Sequence, residues 1–175
     1  VTYDDKFYFS FVVAKNIPVM NITGEEKDKP LLAQISTDYV NTLFGKDSLF
    51  VLTTFSEKKI DYSLLSKNNL IVLNELKSIS SGLSQELKRF ITNGGSVLLF
   101  PHVEIDLNSY KDFLVSVQAN YFEHIDTVNT SVDKLNYEHE IYKDVFEKKQ
   151  EGIDLPIVMS NYKISKSVRV QEEWI

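Results

Sequence analysis

Residues 67–74, Lys-Asn-Asn-Leu-Ile-Val-Leu-Asn, and residues 79–102, Ile-Ser-Ser-Gly-Leu-Ser-Gln-Glu-Leu-Lys-Arg-Phe-Ile-Thr-Asn-Gly-Gly-Ser-Val-Leu-Leu-Phe-Pro-His, decide how the rest of the chain is read. Leu70–Leu73 is a short unbroken apolar run, the pattern of a strand buried on both faces. Leu83, Leu87, Phe90 and Ile91 then recur at i, i+4, i+7 and i+8, which is one helix stripe. Ser84 is placed to cap that helix and Glu86 suits the positive end of its dipole. Gly94 or Gly95 ends it, because a left-handed residue after a helix costs least as glycine. Val97–Phe100 is the next buried strand. Two buried strands joined by a helix predict a right-handed parallel βαβ unit.

Working outward, Ile17–Ile22 and Leu49–Thr54 supply two more core strands. Between them Pro30 suits a helix start, Leu32, Ile35, Tyr39 and Leu43 form its apolar stripe, and Gly45 stops it. Ile60, Leu64 and Leu65 predict a short helical turn within Lys58–Lys67. Asn108–Gln118 carries Tyr110, Phe113, Leu114 and Val117 at helical spacing, and Asn120–Val128 alternates as a strand does. Leu155–Val158, Tyr162–Ile164 and Val168–Val170 read as further short strands. The predicted fold is α/β: a three-layer α/β/α sandwich with a mainly parallel central sheet.

Composition narrows the chemistry. At 175 residues the chain is one ordinary domain, with 43% hydrophobic residues to build a core. The net charge of −6 argues against nucleic acid, and Lys58-Lys59 and Lys148-Lys149 are only isolated pairs. There is no cysteine, which removes disulfides, thiolate catalysis and cysteine-based metal sites. The longest apolar stretch, Phe7–Ala14, is far short of the ~20 residues a membrane-spanning helix needs, so this segment is not expected to insert directly. Thr23–Lys29 has one glycine beside Glu25-Glu26, the wrong chemistry for cradling a phosphate. His102, His124 and His139 lack the spacing of a zinc site. No metal or cofactor is expected.

The buried strand, the Leu83-Ser84-x-x-Leu87 helix and Gly94-Gly95-x-x-Leu98-Leu99-Phe100 resemble the class I glutamine amidotransferase-like α/β fold, itself flavodoxin-like. In that family the strand after Gly-Gly ends in an elbow that carries a nucleophilic cysteine. Pro101-His102 stands there in this chain, so the resemblance implies the fold without its usual reaction, a pseudoenzyme. A serine elbow does not replace it: Ser96 precedes its strand, at the edge away from the chemistry. His139-Glu140 is too closely spaced for the family's His-x-Glu.

A second resemblance concerns the start of the chain. Asp4-Asp5-Lys6-Phe7-Tyr8-Phe9-Ser10-Phe11 looks like the last β-sandwich strand that precedes the α/β domain in BatA-like membrane proteins of the aerotolerance-operon type. Leu135–Phe146 resembles a helix that packs late onto that fold. The domain reading is therefore 1–15 as that terminal strand, or alternatively an edge strand, and 16–175 as the glutamine amidotransferase-like domain. The resemblance implies a piece of a larger membrane-anchored bacterial protein, with an extracytoplasmic location slightly favoured. The expected function is a non-catalytic interaction or scaffold module whose partner is another protein or another domain of the same protein. The alternative is a hydrolase or small-ligand-binding domain. Its candidate pocket gathers Asn74, Glu75, His102 and Glu104 at the carboxyl ends of neighbouring strands. As a lone histidine after a proline, His102 reads otherwise as an ordinary loop residue.

Overall fold

A computed structural model describes residues 8–10, 15–24, 39–132, 134–143, 145 and 155–167. They form two compact units. The first runs to Lys77 and includes Arg89–Glu104; the second holds Ser78–Lys88 and continues from Ile105.

The first unit is a parallel sheet of β1 (Ile17–Thr23), β2 (Phe50–Ser56), β3 (Leu70–Leu76) and β4 (Ser96–Pro101), in the order β2-β1-β3-β4. β1 and β3 are central, so each must be apolar along both faces: Val19, Met20, Ile22, Ile71, Val72, Leu73 and Leu76 are all buried. β4 is outermost, and it departs from its reading as a fully buried strand, with Val97, Leu98 and Leu99 half-buried and Phe100 exposed. The three connections whose ends are described join parallel neighbours or cross the sheet, as parallel pairing requires.

Helix α1 is described over residues 39–45. Its Val40 and Phe44 pack with Val19 and Val72, and Phe44 meets the Phe50 ring edge-on at 5.2 Å. This corrects the predicted stripe: Tyr39 is 71% exposed and Leu43 is 62% exposed. Val40 and Phe44 are also four apart, so the sequence holds two stripes one residue out of phase, and packing on the sheet selects between them. Leu32 and Ile35 lie outside the described residues. The turn predicted before β3 is a 3-10 helix, Tyr62–Lys67, with Leu65 buried and Asp61 accepting the Ser63 N–H at its start.

Helix α2 (Ser81–Thr92) joins β3 to β4. Ser80, not Ser84, caps it, its hydroxyl accepting the Leu83 N–H at 3.2 Å. The helix begins at Ser81, two residues before its apolar stripe, which leaves Glu86 outside the first turn. At the other end Gly94 N–H donates to Ile91 O at 2.9 Å and Gly95 N–H to Phe90 O at 3.0 Å, a Schellman closure. Gly94 takes the left-handed conformation, φ 90°, as the Gly-Gly pair predicts. Gly95 has a different reason to be glycine: a Cβ there would overlap the buried Phe90 ring.

In the second unit, α3 (Leu107–Ser116) is capped by Asp106, which accepts the Asn108 and Ser109 N–H groups, and it buries Tyr110, Phe113 and Leu114. It ends in the same closure as α2, Gln118 N–H to Val115 O and Ala119 N–H to Leu114 O, but with Gln118 in the left-handed position, φ 60°. β5 (Phe122–Asp126) pairs antiparallel with β8 (Asn161–Ile164), and β6 (Thr130–Ser131) with β7 (Ile157–Val158). The rings of Tyr110, Phe122 and Tyr162 pack in sequence, tilted to one another, with centroids 5.9 and 5.1 Å apart. The helix predicted over Leu135–Phe146 is not formed among its described residues. A 3-10 turn at Glu140–Tyr142 buries nothing, and Ile141 and Val145 are exposed. Of Val1–Ala14, only Tyr8–Ser10 are described, exposed and outside any strand; the rest of that segment and Val168–Val170 lie outside the described residues.

Two stability measurements check these turns. Gly94→Ala is expected to cost about 1 kcal/mol through φ alone, and Gly95→Ala about 2 kcal/mol or more through overlap with Phe90. Denaturant unfolding that ranks them in the opposite order would refute the separate causes. Gln118→Gly is expected to stabilise by about 0.5–1 kcal/mol, since it relieves a left-handed residue that carries a Cβ.

Candidate functional site

Along β1, β2 and β3 one face of the sheet changes character from end to end. Side chains alternate, and paired residues of parallel neighbours share a face. On the α1 face the amino-terminal portions are apolar: Ile17, Val19, Phe50, Leu52, Leu70 and Val72. Continuing by twos toward the carboxyl ends, the same face carries Asn21, Thr23, Thr54, Ser56 and Asn74. Asn21 is level with Thr54 and Val72, and Thr23 with Ser56 and Asn74.

The polar end lies where ligands bind in open α/β sheets. After β1 the chain places β2 on one side, then β3 on the other, and β4 beyond it. The order reverses between β1 and β3, and a crevice outside their carboxyl ends follows from that topology. Asn21 and Thr23 from β1 and Asn74 from β3 sit at this point. Asn74 is 1% exposed, and neither its Oδ1 nor its Nδ2 has a hydrogen-bond partner. Asn21 is fully buried, its Oδ1 is also unpartnered, and its Nδ2 reaches Thr54 Oγ1 only at 3.5 Å, the outer limit of a hydrogen bond. Unmet buried amides cost about 1–3 kcal/mol each.

Backbone geometry marks the same place. Asn74 pairs with Phe100 and Leu76 with Pro101, so Glu75 is an extra residue in the ladder. It is left-handed, φ 59°, which strains a residue with a Cβ. Across from it, a Cβ on Gly24 would come to 3.1 Å from Glu75 O, so β1 leaves the sheet at a point where backbone approaches backbone closely.

The four residues expected to form a pocket divide. Asn74 and Glu75 are at the switch point. Glu104 is exposed, and its N–H donates to His102 Nδ1 at 2.9 Å. His102 is 7% exposed, which corrects its reading as an ordinary loop residue. The ring does what an Asn or Asp side chain does in an Asx turn, accepting from the backbone two residues on. His139 makes the same bond to Ile141 N–H at 3.1 Å. Nδ1 also lies 3.2 Å from Glu104 O, so in either neutral tautomer it is committed to the Glu104 backbone, accepting from the N–H or donating to the carbonyl. Ser96 stands at the amino end of β4, as its position before the strand implies. Asn21, Thr23, Thr54 and Ser56 escaped the sequence reading. Their signal is alternation within a buried strand that turns from aliphatic to Asn, Thr or Ser in its last residues.

No protein-family model matches the chain, and no curated protein does. A search of solved structures finds similarity to a ThuA-like protein from Bacteroides uniformis ATCC 8492, with TM-score 0.59 and 13% identity over 91% of this chain. This chain spans 64% of the length of that one. At that identity the likeness carries the fold: helices flank a mainly parallel sheet, and the chain is an α/β/α sandwich of the glutamine amidotransferase-like, flavodoxin-like kind.

Two substitutions separate recognition from support. Asn74→Val removes an amide that has no partner, so it is expected to raise unfolding stability by about 1 kcal/mol. A loss of that size would mean the amide has a structural partner. His102→Ala leaves the Glu104 N–H without its acceptor and is expected to cost about 1–2 kcal/mol, while His102→Asn, which restores an acceptor two residues back, recovers most of it.

Proposed function

We propose that this chain is a non-catalytic interaction module of a larger membrane-anchored bacterial protein. The observation that carries the reading is His102. It occupies the position of the elbow where the glutamine amidotransferase-like family keeps its nucleophile, and its Nδ1 serves the Glu104 turn instead. Pro101 beside it has no N–H to offer a developing oxyanion, and the sequence has no cysteine. The membrane-protein context rests on the BatA-like pattern at residues 4–11. Among the described residues no helix is long and apolar enough to cross a membrane.

One observation favours a second reading, a small-ligand site: the unpartnered amides of Asn21 and Asn74 at the switch point. Binding there needs no nucleophile and no change at His102. It also gives a reason for buried polar groups that an apolar strand would not otherwise hold.

The two readings share an expected outcome. The purified domain turns over neither glutamine nor p-nitrophenyl acetate above background. Turnover that disappears in His102→Ala would overturn both. They part on affinity capture with the full-length membrane protein. If the domain is the interaction module, partners retained by the intact protein are lost when residues 16–175 are deleted. Identical partners with and without the deletion would leave the small-ligand reading standing alone.

A further inference from the structure

The second unit holds a cavity of about 340 Å³ at the carboxyl end of α3, walled by Val115, Gln118, Ala119, Asn120, Tyr121 and Ser165. We propose that it is a binding site for a small uncharged ligand with a hydrogen-bond donor and acceptor side by side, as in a lactam or carboxamide.

Size is the first argument. The volume lies at the lower end of the range of about 300–1,000 Å³ occupied by small-molecule sites. The lining is the second. Among the described residues, none of the side chains that line the cavity is an acid, a lysine, an arginine or a histidine. A charged ligand would give up hydration without meeting an opposite charge in the wall, whereas a neutral polar one loses little. Gln118, Tyr121 and Ser165 supply polar groups, and Val115 and Ala119 supply apolar surface.

Asn120 sets the chemistry of the ligand. Its Oδ1 and Nδ2 are both sealed from solvent and both lack a hydrogen-bond partner. One amide needs one donor and one acceptor on adjacent atoms to satisfy it, and a lactam or carboxamide offers that pair in one plane. A ligand that turns the Asn120 amide toward itself restores bonds that the free protein leaves unmade.

The wall is also fixed before any ligand arrives. On one side of Asn120, the Ala119 N–H closes α3 by donating to Leu114 O at 2.9 Å. On the other, Tyr121 and Ser165 bond reciprocally: Ser165 N–H donates to Tyr121 O at 2.9 Å and Tyr121 N–H to Ser165 Oγ at 3.0 Å. The Lys111 ammonium rests 4.4 Å from the centre of the Tyr121 ring and holds that ring by a cation–π contact. A backbone pinned on both flanks loses little freedom when it binds.

The site shares no residue with the carboxyl edge of the parallel sheet, so its failure would leave the proposed function untouched. The test uses 2-piperidone, a lactam with adjacent N–H and C=O, and N-methyl-2-piperidone, which lacks the donor. Each is titrated into the isotope-labelled chain while backbone amide NMR signals are followed. The expected result is saturable shifts at Val115–Tyr121 and Ser165 with 2-piperidone, and at least about tenfold weaker binding of the N-methyl compound. Ala119→Phe, which fills the cavity, is expected to abolish the shifts. Asn120→Leu, which keeps the side-chain size and removes the amide, is expected to erase the preference between the two probes. Three results would each overturn the proposal: no saturable shift with 2-piperidone up to concentrations on the order of 50 mM, equal binding of both probes to the unaltered chain, or a preference that survives in Asn120→Leu.

Discussion

The parallel pairing of β1 with β3 is the constraint on which the sheet depends. Neither strand has a solvent face. Val19, Ile22, Ile71, Val72 and Leu73 are fully buried, and every neighbouring element is placed by the need to keep them so. Parallel neighbours cannot be joined by a tight turn, so each strand needs a crossover, and those crossovers supply helices to cover the faces. The same pairing creates the place where the chain reverses its direction of travel across the sheet. Architecture and candidate site are thus consequences of one contact.

That contact also shows a conflict between stability and something else. A strand pair buried on both faces is most stable when wholly aliphatic. β1 and β3 obey this until their last residues and then present the buried polar residues Asn21, Thr23 and Asn74, the two asparagines with bonds unmade. Glu75 adds a left-handed backbone at the same level. These departures from the packing rule gather at one end of one face, where the strand order reverses. His102 illustrates the opposite case. It stands where chemistry would be sought, yet its burial and its bond to the Glu104 N–H make it a fastening of the turn after β4.

The two helix ends closed in the Schellman manner show how differently one geometry is written. At the end of α2 it is spelled Gly94-Gly95, one glycine for its positive φ and the other for room beside Phe90. At the end of α3 it is spelled Gln118-Ala119, and no residue type announces it. A left-handed residue without glycine is held in place by the bonds around it, here the two carbonyls of α3 and the reciprocal Tyr121–Ser165 pair beyond.

By itself the sequence determined the elements whose signal is local. The aliphatic runs at Ile17–Ile22 and Leu70–Leu73, the stripe of α2 and the Gly-Gly stop are visible because burial on both faces, helical period and positive φ each restrict residue type directly. Absence of cysteine likewise ruled out a thiolate without any coordinates. Tertiary structure decided what depends on neighbours far along the chain. It chose Val40 and Phe44 over Tyr39 and Leu43, because only the sheet distinguishes two stripes one residue apart. It left Leu135–Phe146 without a helix over its described residues and made β4 an outer strand. It brought Thr23 level with Asn74 and put Asn21 two residues below them on the same face, since register between strands about 50 residues apart is set by pairing and packing and leaves no trace in either strand alone.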